Sequence, residues 1–292
     1  MVERIIYAHE HITIDLSGVK NDIDCRLDDR ELADNEFAKL RAANVCGIVD
    51  QTCRGMGRNP LYAQSVADKA GIEIYHATGF YKEPFLPEEC YKLTENEIRD
   101  IFLGEIENGM DDTGIKASFI GEIGTSGDYI HPIEEKIFIA ATKAHGESGV
   151  SVCTHTTLGK LGLEQLEIFK KYNVDLSKVV LSHIDLSGNM DYMLRLLDTG
   201  VNIAFDTIGK NNYQPDLLRA KWLNELCERG HVGQIVASMD ITRRSNCVEL
   251  GYNYLLDVFV KHLYKEYNFK AKWLDEILYT NPSRIYGIGR KG

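Results

Sequence analysis

The feature that most constrains this chain is a recurrence. Short apolar or β-branched runs appear eight times, each followed by a loop and then by a stretch with helical periodicity. The runs are Ile5–Ala8, Cys46–Asp50, Glu73–Thr78, Lys116–Ile123, Val150–Thr154, Lys178–Ser182, Val201–Phe205 and Gln234–Ser238. Short and apolar along their length, they read as parallel strands buried on both faces. The helical stretches are Arg30–Ala43, Leu61–Ala70, Glu95–Asn108, Pro132–Glu147, Leu161–Tyr172, Met190–Leu197, Leu217–Arg229 and Tyr254–Tyr264. Pro132 stands at a first helical position with Glu134 and Glu135 in the first turn, both start signals. A last helix is expected over Ala271–Tyr279, closed by Asn281-Pro282. Strand–helix alternation repeated eight times, with no Gly/Ser linker, predicts an α/β fold. The expected form is a single (β/α)8 TIM barrel over residues 1–292, its active site at the C-terminal ends of the strands. A doubly wound sheet is the rival arrangement. The longest loops, Asp15–Asp29 and Tyr81–Leu93, are expected to roof the active-site face.

Composition excludes several classes. With 44% hydrophobic and 26% charged residues the chain reads as soluble and globular. It has no apolar run of membrane-spanning length, and its N-terminus lacks a signal-peptide layout. A net charge of −11 without a Lys/Arg-rich run argues against nucleic acid as a partner. Seven cysteines, none in a CxxC pair, suit reduced thiols in a cytoplasmic protein. A homodimer is compatible with the chain, and a small molecule is the expected partner.

The metal-type residues sort by position. His9 and His11 follow the first strand, Glu122 lies at the end of the fourth, and His155 follows the fifth. His183 follows the sixth and Asp240 the eighth. All lie at C-terminal strand ends, where barrel enzymes keep their chemistry. His131, His145, His231 and His262 fall in helices or connections, and His76 reads as a core residue. Six ligands are too many for one zinc with an open position, and fit two divalent metals sharing a carboxylate. His9, His11 and Asp240 are assigned to one metal, His155 and His183 to the other, and Glu122 to the bridge. Zinc suits this set, as do manganese, cobalt and nickel.

The His9-x-His11, Thr154-His155, Ser182-His183 and Met239-Asp240 placement resembles the phosphotriesterase family of the amidohydrolase superfamily. Ala8–His11, Gly121–Ser126, Phe205–Lys210 and Asp240–Arg244 look closest to its branch of phosphotriesterase homology proteins. Many members of that family bridge their metals with a carboxylated lysine from the fourth strand. Here Gly121 occupies that neighbourhood. Lys116 lies six residues before Glu122, roughly 20 Å away along a strand, so Glu122 is the bridging candidate.

The chemistry expected of such a site is hydrolysis: a metal-bridging hydroxide attacks an ester-type centre, and Asp240 carries the proton toward the leaving group. The loops after strands seven and eight form the recurring phosphate site of barrels. They bring Lys210, Arg243 and Arg244, cations in an acidic chain, and these are the substrate-binding candidates. The resemblance implies a lactone or ester carrying a phosphate or carboxylate. The alternatives are an organophosphate triesterase, an amide-type hydrolase, or a metal-binding scaffold without turnover.

Overall fold

All eight strands form in a computed structural model that describes residues 3–288. They are β1 Ile5–Glu10, β2 Val45–Asp50, β3 Glu73–Thr78, β4 Phe119–Thr125, β5 Val152–Thr156, β6 Val179–Ser182, β7 Asn202–Phe205 and β8 Ile235–Ala237. They make one sheet in sequence order, with every paired neighbour parallel. Parallel neighbours need a crossover between them. That role falls to α1 Arg30–Ala42, α2 Pro60–Ala70, α3 Glu95–Glu107, α4 Pro132–Ser148, α5 Gly162–Lys171, α6 Met190–Leu197 and α7 Asp216–Glu228, while α8 Val260–Tyr267 follows the last strand. Local chemistry sets several of the boundaries. Asn59 caps α2 with Pro60 in its first turn, and Thr94 and Glu97 form a capping box on α3. Gly71 and Gly149 end α2 and α4 in the left-handed region, at φ 68° and 72°.

The interior of the barrel is filled by Ile6, Ala8, Val49, Ala77, Phe119, Cys153, Val180, Ala204 and Val236. Phe119, the first residue of β4, meets the Tyr286 ring with centroids 5.1 Å apart. The segment around Tyr286 therefore covers the N-terminal mouth and leaves the opposite end for the site. Alternate strand residues such as Ile5, Tyr7 and Ile48 pack outward with the helices.

Two irregularities aim side chains that strict alternation would misplace. Between Tyr7 and Glu10, three steps along β1 oppose two along β2. Ile6 and Ala8 point inward; after the irregularity His9 and His11 point inward too, and Glu10 points out. In β4, Ile120 and Ile123 pair with Val152 and Thr154, again three steps against two. Such bulges re-aim side chains next to sites, and this one turns Glu122 into the barrel. A Cβ on Gly121 (φ 157°) would lie 2.8 Å from the Cys153 carbonyl oxygen. No side chain, lysine included, fits there without moving the backbone.

Glu10, between the two histidines, joins the barrel's ends. Its carboxylate accepts from Ser238 Oγ, Met239 N and Ile241 N at 2.7, 2.7 and 3.0 Å. The Asp240 N–H donates to the His9 carbonyl at 3.3 Å. The seam between β1 and β8 is thus held by one buried carboxylate together with this backbone hydrogen bond.

The expected last helix is corrected. It does not close at Asn281-Pro282: Ala271–Asp275 continues through a wider π segment, Glu276–Thr280, into Asn281–Tyr286. Pro282 lies in the first turn of that last segment, directly after the wider π turn. Glu122 sits in the middle of β4 rather than at its end, because the strand runs on to Thr125; Lys116 precedes the strand altogether. The Asp15–Asp29 loop is tied by a two-residue ribbon, Ile14–Asp15 against Arg26–Leu27. No helix among the described residues is long and apolar enough to cross a membrane.

Candidate metal centre

Four imidazoles and two carboxylates meet at the C-terminal mouth. His9, His11 and Asp240 form one group of potential ligand atoms, and His9, Glu122 and His183 a second, each with its atoms within 4.8 Å of one another. Asp240 Oδ1 is 3.3 Å from His11 Nε2 and 3.6 Å from His9 Nε2. Glu122 Oε1 is 2.8 Å from His155 Nδ1, 3.0 Å from His183 Nε2 and 3.7 Å from His9 Nε2. One oxygen of Glu122 thus faces ligand atoms of both groups. The grouping differs from the sequence assignment in two respects: His9 belongs to both clusters, because the shift in β1 sets its ring between Glu122 and Asp240, and His155 belongs to neither, meeting the site through Glu122 Oε1.

The donors fit a divalent cation. Nε2 of His9 and of His11 are buried and have no hydrogen-bond partner. A buried nitrogen left unpaired is costly, and both point toward carboxylate oxygens. Imidazole with carboxylate is a borderline-to-hard donor set, suited to zinc and its neighbours.

The far sides of the rings are anchored, which fixes tautomer and orientation. His11 Nδ1 contacts Thr52 Oγ1 at 2.9 Å, and Thr52 in turn donates to Asp50 at 2.7 Å. His9 Nδ1 lies 3.0 Å from Ser182 Oγ and 2.9 Å from Asp206 Oδ2. His183 Nδ1 donates to Asp206 Oδ1 at 2.9 Å. Asp206 is therefore a central residue that sequence reasoning did not single out. It is fully buried beneath His9 and His183. The signal was available, since Asp206 directly follows β7, as His11 follows β1 and His183 follows β6.

Electrostatics tie the cluster together. Burial pushes the His183 imidazole down, but Asp206 and Glu122 overcome it and hold it up at about 10. Burial dominates at His155, lowering it to about 4. Asp206 and Asp240 stay well below the usual carboxylate range despite burial, held there by His183 and by Lys210 respectively. His183 (φ 62°) and Asp240 (φ 50°) occupy the left-handed region, uncommon for non-glycine residues and frequent at functional sites.

A cavity of about 210 Å³ opens above the cluster. Its floor includes His11, Glu122, His155, His183 and Asp240, and its walls include Tyr81, Lys82, Phe85, Lys20, Lys210 and Tyr213. Lys210 reaches the cavity as expected and forms an ion pair with Asp240. Arg243 and Arg244 do not line it. Arg243 is held by Asp22 at 2.6 Å and Asp24 at 3.3 Å, and borders a separate outer bay of about 440 Å³ beside Lys210. Arg244 points away, 3.0 Å from Asp29. Acids of the loop after β1, distant in sequence, attract both guanidinium groups. Sequence reasoning missed Lys20, Lys82 and Tyr81 as wall residues; only the folding of the loops after β1 and β3 over the mouth brings them there.

An eight-stranded parallel barrel with imidazoles and carboxylates converging inside its C-terminal mouth defines a metal-site barrel of the amidohydrolase kind. Within that class the chain belongs to the phosphotriesterase family, whose sequence model matches residues 4–286. It is 42% identical over 282 residues to the phosphotriesterase homology protein of Escherichia coli, covering 96% of each chain. The crystal structure of that protein, with phosphate in its active site, superposes with a TM-score of 0.94 over 98% of this chain and 99% of that one. A lactonase from Listeria monocytogenes, 26% identical, superposes at 0.91 over 98% and 95%. An N-acetyltaurine hydrolase of Dictyostelium discoideum is 29% identical over 92% of this chain and 76% of its own.

Proposed function

We propose that this protein is a metal-dependent hydrolase with two divalent cations, zinc being well suited, that cleaves an ester-type bond in a small anionic molecule. A lactone or ester carrying a phosphate or carboxylate is the substrate class we favour. The observation that carries this reading is Glu122, one of whose oxygens, Oε1, faces His9, His155 and His183 while Asp240 completes the candidate set on the other side. His9, His11 and Asp240 would hold one cation and His155 and His183 the other, with Glu122 between. When bound, the cations supply Lewis acidity and lower the pKa of water toward neutrality.

The chain's own residues do the rest. Asp240 is the proton carrier: it accepts the proton of the nucleophilic water and passes it to the leaving oxygen. Lys210 orients it from the mouth and keeps it ionised. Tyr81, whose phenol is held protonated by burial, offers an O–H at the cavity wall to a substrate oxygen. The lysines of the walls favour an anion over a neutral organophosphate triester. Phosphate in the active site of the Escherichia coli relative and the lactonase name of the Listeria one support the class. Seven free cysteines suit a reducing, cytoplasmic setting.

A second reading is amide cleavage, favoured by the N-acetyltaurine hydrolase relative. Both are tested by one hydrolysis screen of the metal-reconstituted protein. The panel holds phosphorylated lactones, plain lactones, and N-acyl amides bearing an acid group. Turnover of anionic lactones that rises with pH toward neutrality supports the first reading, and preferential amide turnover the second. No turnover across the panel, with metal bound, leaves a scaffold and overturns both.

A further inference from the structure

Lys82 is an ammonium in an unusual place. It is 9% exposed and lines the cavity wall, yet it forms no ion pair among the described residues. Its one hydrogen-bond acceptor is the Glu83 carbonyl, at 3.4 Å. The neighbouring acids are committed elsewhere: Glu83 accepts from the Tyr91 hydroxyl at 2.8 Å, and Glu134 from the Glu83 and His131 backbone N–H groups at 3.2 and 3.0 Å. A second ammonium stands close by. Lys82 Nζ and Lys20 Nζ lie 5.4 and 5.8 Å from the centroid of the same Phe85 ring. Burial pushes the Lys82 ammonium below its ordinary value, Glu122 and Glu134 offset only part of this, and the repulsion of Lys20 adds to it. Burying an unpaired charge is expensive. In a pocket open to ligand, the group that removes this cost is an anion.

Position separates these lysines from Lys210. β3 and β7 are four strands apart in the sheet order of an eight-stranded barrel, so the loops that carry Lys82 and Lys210 face each other across the mouth. Lys210 is already neutralised by Asp240, and Arg243 by Asp22 and Asp24. The uncommitted positive charge is on the β1/β3 side.

We propose that Lys82 and Lys20, flanking Phe85, form the subsite for the substrate's anionic group, and that this group is a phosphate monoester. Two ammonium charges on one apolar ring match a dianion better than a single carboxylate, since each lysine neutralises one charge of the dianion and the dianion offsets the repulsion between the lysines. This assignment rests on the hydrolase reading for the word substrate, but the anion site itself does not require turnover.

The test is equilibrium dialysis of labelled inorganic phosphate against the full chain, as purified and after chelation, so that any cation's contribution is separated. Lys82→Met and Lys20→Met should each weaken phosphate binding about tenfold or more, the loss of one charge-assisted contact. Lys82→Arg should restore most of it, which also guards against misfolding of the methionine variant. Acetate should compete poorly. Phosphate affinity unchanged in both methionine variants, or lost only in Lys210→Met, overturns the subsite while leaving the hydrolase reading intact. Lysine-dependent phosphate binding without hydrolysis of any ester sustains the subsite and removes the hydrolase reading.

Discussion

Asp206 grips His183 twice: the backbone N–H and Nδ1 of His183 both donate to its Oδ1 at 2.9 Å. The other oxygen lies 2.9 Å from His9 Nδ1. One buried carboxylate thus sets the orientation of two rings from different strands, and holds His183 in a left-handed conformation it would otherwise avoid. Asp206→Asn keeps the shape but loses the charge and one acceptor. We expect metal affinity to fall roughly 10- to 100-fold, measured by chelator competition, with the fold intact by circular dichroism. Unchanged affinity would remove Asp206 from the site's support.

Gly121 and Glu122 make a linked prediction. A methyl at 121 meets the Cys153 carbonyl oxygen at 2.8 Å, so Gly121→Ala must shift the very segment that aims Glu122. Stability should drop by about 1–3 kcal/mol, and bound metal per chain should fall, as it should in Glu122→Gln. Urea unfolding with elemental analysis checks both. Full metal occupancy in Glu122→Gln would show that Glu122 is not a ligand.

Arg219 is fully buried in α7, donating to Asp185 Oδ2 at 2.6 Å and Thr207 Oγ1 at 2.7 Å. It ties the loop after His183 to the loop that carries Lys210. Arg219→Met leaves Asp185 buried and unpaired, a loss of about 3–5 kcal/mol. Calorimetry should register it, and an Arg219→Met/Asp185→Asn double variant should recover part.

A pH dependence follows from Glu105, which accepts from Arg58 at 2.8 Å and from Thr78 at 2.6 Å. Burial pushes its carboxyl up, but Arg58 outweighs this and sets it below its ordinary 4.5. A lowered carboxylate stabilises above its unfolded value and loses that stability as pH falls through the folded one. The stability gap between wild type and Glu105→Gln, on the order of 3 kcal/mol, should be flat from pH 6 to 8 and should close below pH 4.5. Denaturant midpoints at several pH values measure it; a gap as wide at pH 3 as at pH 7 contradicts the assignment.

Much of this was legible in the sequence. The period of strand and helix named the barrel, because buried parallel strands and amphipathic helices leave different hydrophobic periods. The rule that chemistry sits at C-terminal strand ends picked out His9, His11, Glu122, His155, His183 and Asp240, and the structure brings all of them together. Applied once more, the same rule would have found Asp206. What sequence could not show was phase. Whether Glu122 faces in or out depends on a one-residue shift against β5, and a shift of one residue reverses every side chain beyond it.

The sequence by itself determined the architecture and the inventory of candidate ligands, since both follow from local patterns repeated along the chain. Only the tertiary structure decided which cation meets the cavity. Arg243 and Arg244 lie on the expected loop, but Asp22, Asp24 and Asp29, more than two hundred residues earlier, neutralise them. Lys82 carries no motif, yet folding of its loop buries it in the wall without an ion-pair partner among the described residues. Charge pairing depends on distances in space, and no spacing along the chain records them.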